Sequence, residues 1–150
     1  MTKIEMSCFN GCINLSQLDI PSNIQSIEYK SFMGCSSLRK VSIPDTVTEI
    51  DYQTFQNCEC LSEITFKCIK LINYEAFQYC KSLTEFLIPS SVEIICHGAF
   101  KDCSSLRKVI LPPNLKKIEN SLFENCISLT EIQIPHNVSE IGEKVFSNCS

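Results

Sequence analysis

Eleven cysteines and two histidines are the residues of this 150-residue chain best suited by type to do chemistry. Thiolates at short spacing hold zinc, and Cys58-Glu-Cys60 with Cys68 and Cys80 is one such set. No Cys-x-x-Cys pair supports it. A cysteine beside a histidine can form a nucleophile with its base, and Cys96-His97 is the one adjacent pair. Sequence neighbours on a turn seldom face each other, however, and no third group stands ready to orient the imidazole. His136 follows Pro135 and is expected to be solvated at a corner. Neither a Gly-x-Ser-x-Gly elbow, nor a phosphate loop, nor His-Glu-x-x-His occurs. The chain is therefore expected to be no enzyme, with no catalytic, cofactor or metal site.

The cysteines keep time instead. An odd number cannot pair completely. Cys12, Cys35, Cys58, Cys80, Cys103, Cys126 and Cys149 stand 23, 23, 22, 23, 23 and 23 residues apart, and each follows a phenylalanine by three. Leu15, Leu38, Leu61, Leu83, Leu106 and Leu129 hold the same step, as do Ile27, Ile50, Ile72, Ile95, Ile118 and Ile141. A fixed period of this size signals a repeat array. One solenoid is expected over residues 1–150: a partial repeat at 1–14, then repeats at 15–37, 38–60, 61–82, 83–105, 106–128 and 129–150. The repeat at 61–82 is one residue short, and Lys67 stands where the others carry Pro21, Pro44, Pro89, Pro112 and Pro135. A kink or tightened corner is expected there.

The elements that must position these columns follow from spacing. In Leu-x-x-Leu-x-Ile the last two apolar residues lie two apart, so they share one face of a short strand. The proline after them ends backbone pairing. Phe-x-x-Cys fits one helical or 3₁₀ turn with ring and thiol inward. A unit of this length cannot bury so many apolar groups alone, whereas stacked units can, each column lying on its copy. The expected architecture is an α/β repeat solenoid: a right-handed coil with a parallel sheet on one face and short helical or 3₁₀ turns on the other. The cysteine column is expected to form a stack of buried, reduced thiols acting as small hydrophobes.

The pattern Leu-x-x-Leu-x-Ile-Pro-x-x-Val-x-x-Ile-x-x-x-x-Phe-x-x-Cys, kept from Ile4 to Cys149, resembles the BspA-like leucine-rich repeats, the 23-residue Treponema pallidum type. The resemblance implies a leucine-rich-repeat solenoid that binds protein without catalysis. It also implies a surface protein that adheres to host matrix or cell-surface proteins. In one column the chain departs from that pattern. Where the family usually carries Gly after the second Ile, only Gly142 does so, and Glu28, Asp51, Asn73, Cys96 and Glu119 take the other places. A left-handed backbone at that position would strain those residues.

Strand positions pointing away from the core make stacked columns. Gln17, Lys40, Glu63, Glu85, Lys108 and Glu131 form one, and Asp19, Ser42, Thr65, Leu87, Ile110 and Gln133 another. Opposite charges on neighbouring strands attract, as in Lys40–Glu63, Glu85–Lys108 and Lys108–Glu131, whereas Glu63–Glu85 is a like-charged step. Leu87 and Ile110 are apolar on a face that should be wet. They could seat an apolar anchor of a partner, with Glu85, Arg107 and Lys108 as a polar rim. Lys40, Glu63, Glu85, Leu87, Arg107, Lys108, Ile110 and Glu131 are the candidate partner-binding face.

The net charge of −4 argues against nucleic acid as a partner. No apolar run approaches the roughly 20 residues a membrane span needs. The last repeat carries no polar cap, so the chain is expected either to belong to a longer array or to self-associate through that repeat. Location divides the readings. Family resemblance places the chain at the cell surface, where Asn14-Leu-Ser16 and Asn137-Val-Ser139 could carry glycan. The opening residues Met1 to Cys8 lack the apolar stretch of a secretory signal. With eleven thiols expected free, that favours the cytoplasm and an intracellular scaffold that binds other proteins.

Overall fold

The computed structural model describes residues 2–149. The chain is a β-solenoid of two short strands per coil. Strands β1 (Lys3–Ile4), β3 (Ser26–Ile27), β5 (Glu49–Ile50), β7 (Leu71–Ile72), β9 (Ile94–Ile95), β11 (Lys117–Ile118) and β13 (Glu140–Ile141) line one side. Strands β2 (Gln17–Leu18), β4 (Lys40–Ser42), β6 (Glu63–Thr65), β8 (Glu85–Leu87), β10 (Lys108–Ile110) and β12 (Glu131–Gln133) line another, called the first face because it carries the candidate residues. Pairing is parallel and in register from coil to coil, as in Val41↔Ile64 and Val109↔Ile132.

The expected α/β class is wrong. No helix, α or 3₁₀, occurs among the described residues, and parallel strands lie on two faces rather than one. The Val-x-x-Ile stretch ends in the second strand. The Phe-x-x-Cys stretch is a string of turns, because each coil places two left-handed residues four apart. Gln53 and Asn57, Glu75 and Tyr79, Gly98 and Asp102 are such pairs, and all left-handed residues among those described have φ between 53° and 72°. A helix needs consecutive right-handed residues, so it cannot pass these points. Alternate amides reach the next coil instead: Phe55 N–H donates to the Ala76 carbonyl (2.9 Å) and Asn57 N–H to Gln78 (2.9 Å). The amides between them close turns within the coil, as Gln56 N–H to Gln53 (3.2 Å) and Cys58 N–H to Phe55 (3.1 Å). The backbone donors are thus satisfied without a helix.

The column after the second Ile is not left-handed. Gly142 serves another purpose: a Cβ there would stand 2.3 Å from Asn120 Oδ1 and 2.7 Å from the Asn120 nitrogen. The Asn120 amide oxygen occupies that space and accepts from Glu143 N–H at 2.8 Å. The strained positions lie two residues further on.

The core is a set of straight columns. Phe32, Phe55, Phe77, Phe100 and Phe123 are fully buried. Their rings stack at 5.4, 5.5, 5.3 and 5.8 Å, within 17° of parallel. The isoleucine column from Ile27 to Ile118 is likewise buried. Each proline of the repeating column (Pro21, Pro44, Pro89, Pro112 and Pro135) opens a turn closed by its own carbonyl, as Val47 N–H to Pro44 at 3.0 Å.

The short coil leaves a mark. On the first face the strands form two separate sheets, β2-β4-β6 and β8-β10-β12. The split falls between the coil lacking its proline turn and the one after it. On the opposite side β5-β7-β9 runs through the same level unbroken. Inward-pointing Phe66 and Phe86 occupy places where most other coils carry Ile, Val or Leu. Their rings meet at 6.0 Å, tilted by 47°. Phe86 also touches Phe77 and Phe100, at 5.5 and 4.9 Å. Two rings in aliphatic columns need more room than a tight strand pair leaves.

Candidate functional site

The cysteine column is a hydrogen-bonding ladder as well as a packing one. Cys35, Cys58, Cys80, Cys103 and Cys126 are buried, Cys149 is half-buried and Cys12 is exposed. In this column each Phe carbonyl from Phe9 to Phe123 accepts the backbone N–H of its own coil's Cys and the S–H of the next. Phe32 takes Cys35 N–H at 3.1 Å and Cys58 Sγ at 3.2 Å. Phe55 takes Cys58 N–H and Cys80 Sγ at 3.1 and 3.2 Å. Cys103, Cys126 and Cys149 repeat the bond at 3.2 Å. Burial pushes the Cys35 thiol up to about 11 and Cys126 up to about 12. It holds Cys80 and Cys103 well above the ordinary thiol value. These thiols are poor nucleophiles, because the thiolate is the reactive form.

The zinc-like set is not brought together. Cys58 and Cys80 point into the core, Cys60 is half-buried and Cys68 exposed. No cluster of three or more His, Cys, Asp or Glu suited to a metal occurs among the described residues. Cys96 is driven away from ionising, first by burial and then by Glu119 and Glu49. That opposes what a nucleophile beside His97 would need.

The first face holds the candidate residues in the order their spacing implies. Lys40, Glu63, Glu85, Arg107 and Glu131 are exposed and Lys108 is half-buried. Leu87 is 69 % exposed, Ile110 is 42 % exposed, and the two sit opposite each other in register. Lys40 Nζ pairs with Glu63 at 2.6 Å and Lys108 Nζ with Glu131 at 3.2 Å. Glu85 lies opposite Lys108 in register, yet the Lys108 ammonium turns to Glu131, leaving Glu85 without an ion pair among the described residues. The like-charged Glu63–Glu85 step coincides with the split between β6 and β8. A cleft of about 310 Å³ opens there, lined by both glutamates and by Phe66, Leu83, Leu87 and Pro89.

Spacing alone missed two features outside this face. Tyr52 and Tyr74 stack at 5.2 Å, each 44 % exposed. They stand one repeat apart, so their column was available to be read. Along the turns runs an amide ladder in which Gln56 donates to Gln78 (2.6 Å), Asn125 to Asp102 (2.8 Å) and Asn148 to Asn125 (2.8 Å). Its members lie in two adjacent columns, Gln56–Gln78 and Asp102–Asn125–Asn148, which hides the ladder from the period. Asn148, which opens a further Asn-x-Ser triplet with Cys149 and Ser150 in the sequence, spends its amide on that ladder. Asn14 is exposed, and Asn137 donates to the Pro113 carbonyl at 3.1 Å.

Comparison with known proteins agrees with this architecture. A family model described as BspA type Leucine rich repeat region matches residues 2–86 and 70–150, in six copies. The crystal structure of a leucine-rich repeat protein of T. pallidum is 34 % identical with a TM-score of 0.94, covering 98 % of this chain and 69 % of its own. One from Bacteroides ovatus is 29 % identical with a TM-score of 0.88, covering 99 % of this chain and 45 % of its own. One from Eubacterium ventriosum is 31 % identical with a TM-score of 0.81, covering 91 % of this chain and 37 % of its own. This chain thus spans less than half the length of the latter two. No curated protein matches the sequence. The chain belongs to the BspA-type leucine-rich repeat family.

Proposed function

We propose that the chain is a non-catalytic protein-binding module of the surface-adhesion kind, and that it binds through its first face. The observation that carries this reading is the Leu87–Ile110 pair. Two large aliphatic side chains stand exposed and in register on a sheet face. Exposed apolar groups rimmed by charge are where partners anchor. Arg107, Lys108 and Glu85 supply the rim, with Lys40, Glu63 and Glu131 beyond it. The repetitive, shallow surface suits contact with another protein better than enclosure of a small substrate.

The test is retention on an immobilised host extracellular-matrix preparation. The unaltered chain is expected to be retained, and Leu87→Asp with Ile110→Asp to lower retention at least about tenfold, a hot-spot-sized loss. Equal retention of both would overturn the choice of face, and no retention of either would overturn the adhesion reading. An intracellular scaffold is the second reading, favoured by the eleven free cysteines. Alkylation of surface and cytosolic fractions separates the two by where the chain is found.

A further inference from the structure

The cleft between β6 and β8 adds a chemical preference to the first face, and rests on that face being the binding surface. The two strands are not hydrogen-bonded to each other. Where coils pair on this face amides reach across, as Arg107 N–H to Thr84 (2.7 Å), Thr130 N–H to Arg107 (3.1 Å) and Ile43 N–H to Thr65 (2.8 Å), although the Ile20 and Leu111 amides do not. The corresponding amides of Thr84 and Phe66 make no such bond. Glu63 of β6 and Glu85 of β8 both line the cleft, as do Phe66, Leu87 and Pro89.

The cleft thus carries one carboxylate from each flanking strand and an apolar lining. Glu63 is already shared with Lys40, but that pair is solvent-exposed on both sides, and exposed pairs are weak enough to rearrange. Glu85 has no cation of its own among the described residues. A metal ion is a poor match, because two carboxylates do not make a cluster of three or more ligating side chains. The lining calls for hydrocarbon, and the carboxylates call for a cation. A guanidinium on a three-carbon stem supplies both, spreads its charge across a plane, stacks on aromatic rings and donates to two carboxylates at once.

We propose that the β6–β8 cleft receives an arginine side chain of the protein partner, its guanidinium held between Glu63 and Glu85 and its stem against Leu87 and Pro89. The apolar anchor site at Leu87 and Ile110 then lies directly beside the arginine slot, so the partner would present an arginine next to an apolar residue.

The test is an NMR titration of the whole chain with the peptide Ac-Leu-Arg-NH2 as probe. Ac-Leu-citrulline-NH2 serves as the neutral control and Ac-Leu-Lys-NH2 as the point-charge control. The expected result is a saturable set of amide shifts confined to Glu63–Phe66 and Thr84–Leu87. Affinity for the citrulline peptide should be at least about tenfold lower, as for loss of a paired charge. Glu63→Gln with Glu85→Gln keeps side-chain shape and should abolish the saturable response, its melting temperature showing that the coil is intact. If the variant still binds, or if shifts spread over acidic residues all around the solenoid, the slot is overturned. Equal binding of the lysine peptide overturns the preference for a guanidinium. Loss of matrix retention in the Leu87→Asp, Ile110→Asp variant without any arginine response would leave the face as binding surface and remove the slot. An arginine response without matrix retention would do the reverse.

Discussion

The Phe66 and Phe86 rings meet at 6.0 Å and 47°, whereas rings of the main phenylalanine column stack nearly parallel. That tilt sits at the one level where the first-face sheet is divided. The coil of Phe66 is the one that lost a residue and its proline. The expected consequence is local looseness. Thr84 and Phe66 amides should exchange with solvent faster than Arg107 and Ile43, their counterparts one coil away, because only the latter pair donate ladder bonds. Residue-resolved hydrogen exchange checks this, and equal protection would mean the sheet is continuous in solution.

The ring column itself should be costly to interrupt. Phe77 is fully buried between Phe55 and Phe100 and touches Phe86. Phe77→Ala is expected to lower stability by about 3–5 kcal/mol, the range for large aromatic truncations in a core. Urea unfolding measures it, and a loss under about 1 kcal/mol would show that the column can collapse around the gap.

The thiol ladder predicts a smaller loss. Cys80 Sγ donates to the Phe55 carbonyl, which Cys58 N–H also serves. Cys80→Ala therefore leaves that carbonyl with one partner and should cost about 1–2 kcal/mol, one hydrogen bond plus a small void. Equilibrium unfolding of the single variant checks it.

Buried thiols also set an alkaline limit. Their folded-state values lie above the ordinary one, up to about 11 for Cys35 and about 12 for Cys126. The unfolded chain sheds those protons near the ordinary thiol value, while the folded chain keeps them. Above that value the unfolded state binds fewer protons, so stability falls as pH rises. The thiols' full contribution is present below about pH 8 and declines from about pH 9 upward. Urea midpoints across that window should drop, and replacing Cys103 and Cys126 by Ala should flatten the decline. The same burial predicts fast alkylation of exposed Cys8, Cys12 and Cys68 in the folded chain and slow alkylation of Cys58, Cys80 and Cys103.

Much of this fold was legible because a repeat shows each position several times over. Inward columns such as Leu38, Leu61 and Leu83 differ little, and burial is what holds them constant. The turns were misread because Phe-x-x-Cys has helical spacing, which outweighed the Gly, Asn and Asp at Gly11, Gly34, Asn57, Asp102, Asn125 and Asn148, while the other left-handed column has no common type. Left-handed φ is carried by Gln53, Glu75, Gly98 and Ser121 in one column, and only one of these announces itself. The second strand was hidden in a stretch where two residues pair and the rest turn. The exposed Leu87 and Ile110 could be read from the period, because the alternation of a strand assigns each residue a side. The cleft could not be, since it depends on how two bulky rings settle beside a shortened coil.

The claim that the first face is the binding surface is tested most directly by hydrogen exchange on the chain bound to whichever matrix protein retains it. Protection confined to Glu63–Thr65, Glu85–Leu87 and Lys108–Ile110 is the predicted result. A footprint on Glu49–Ile50, Leu71–Ile72 and Ile94–Ile95, with the first face unchanged, would contradict it.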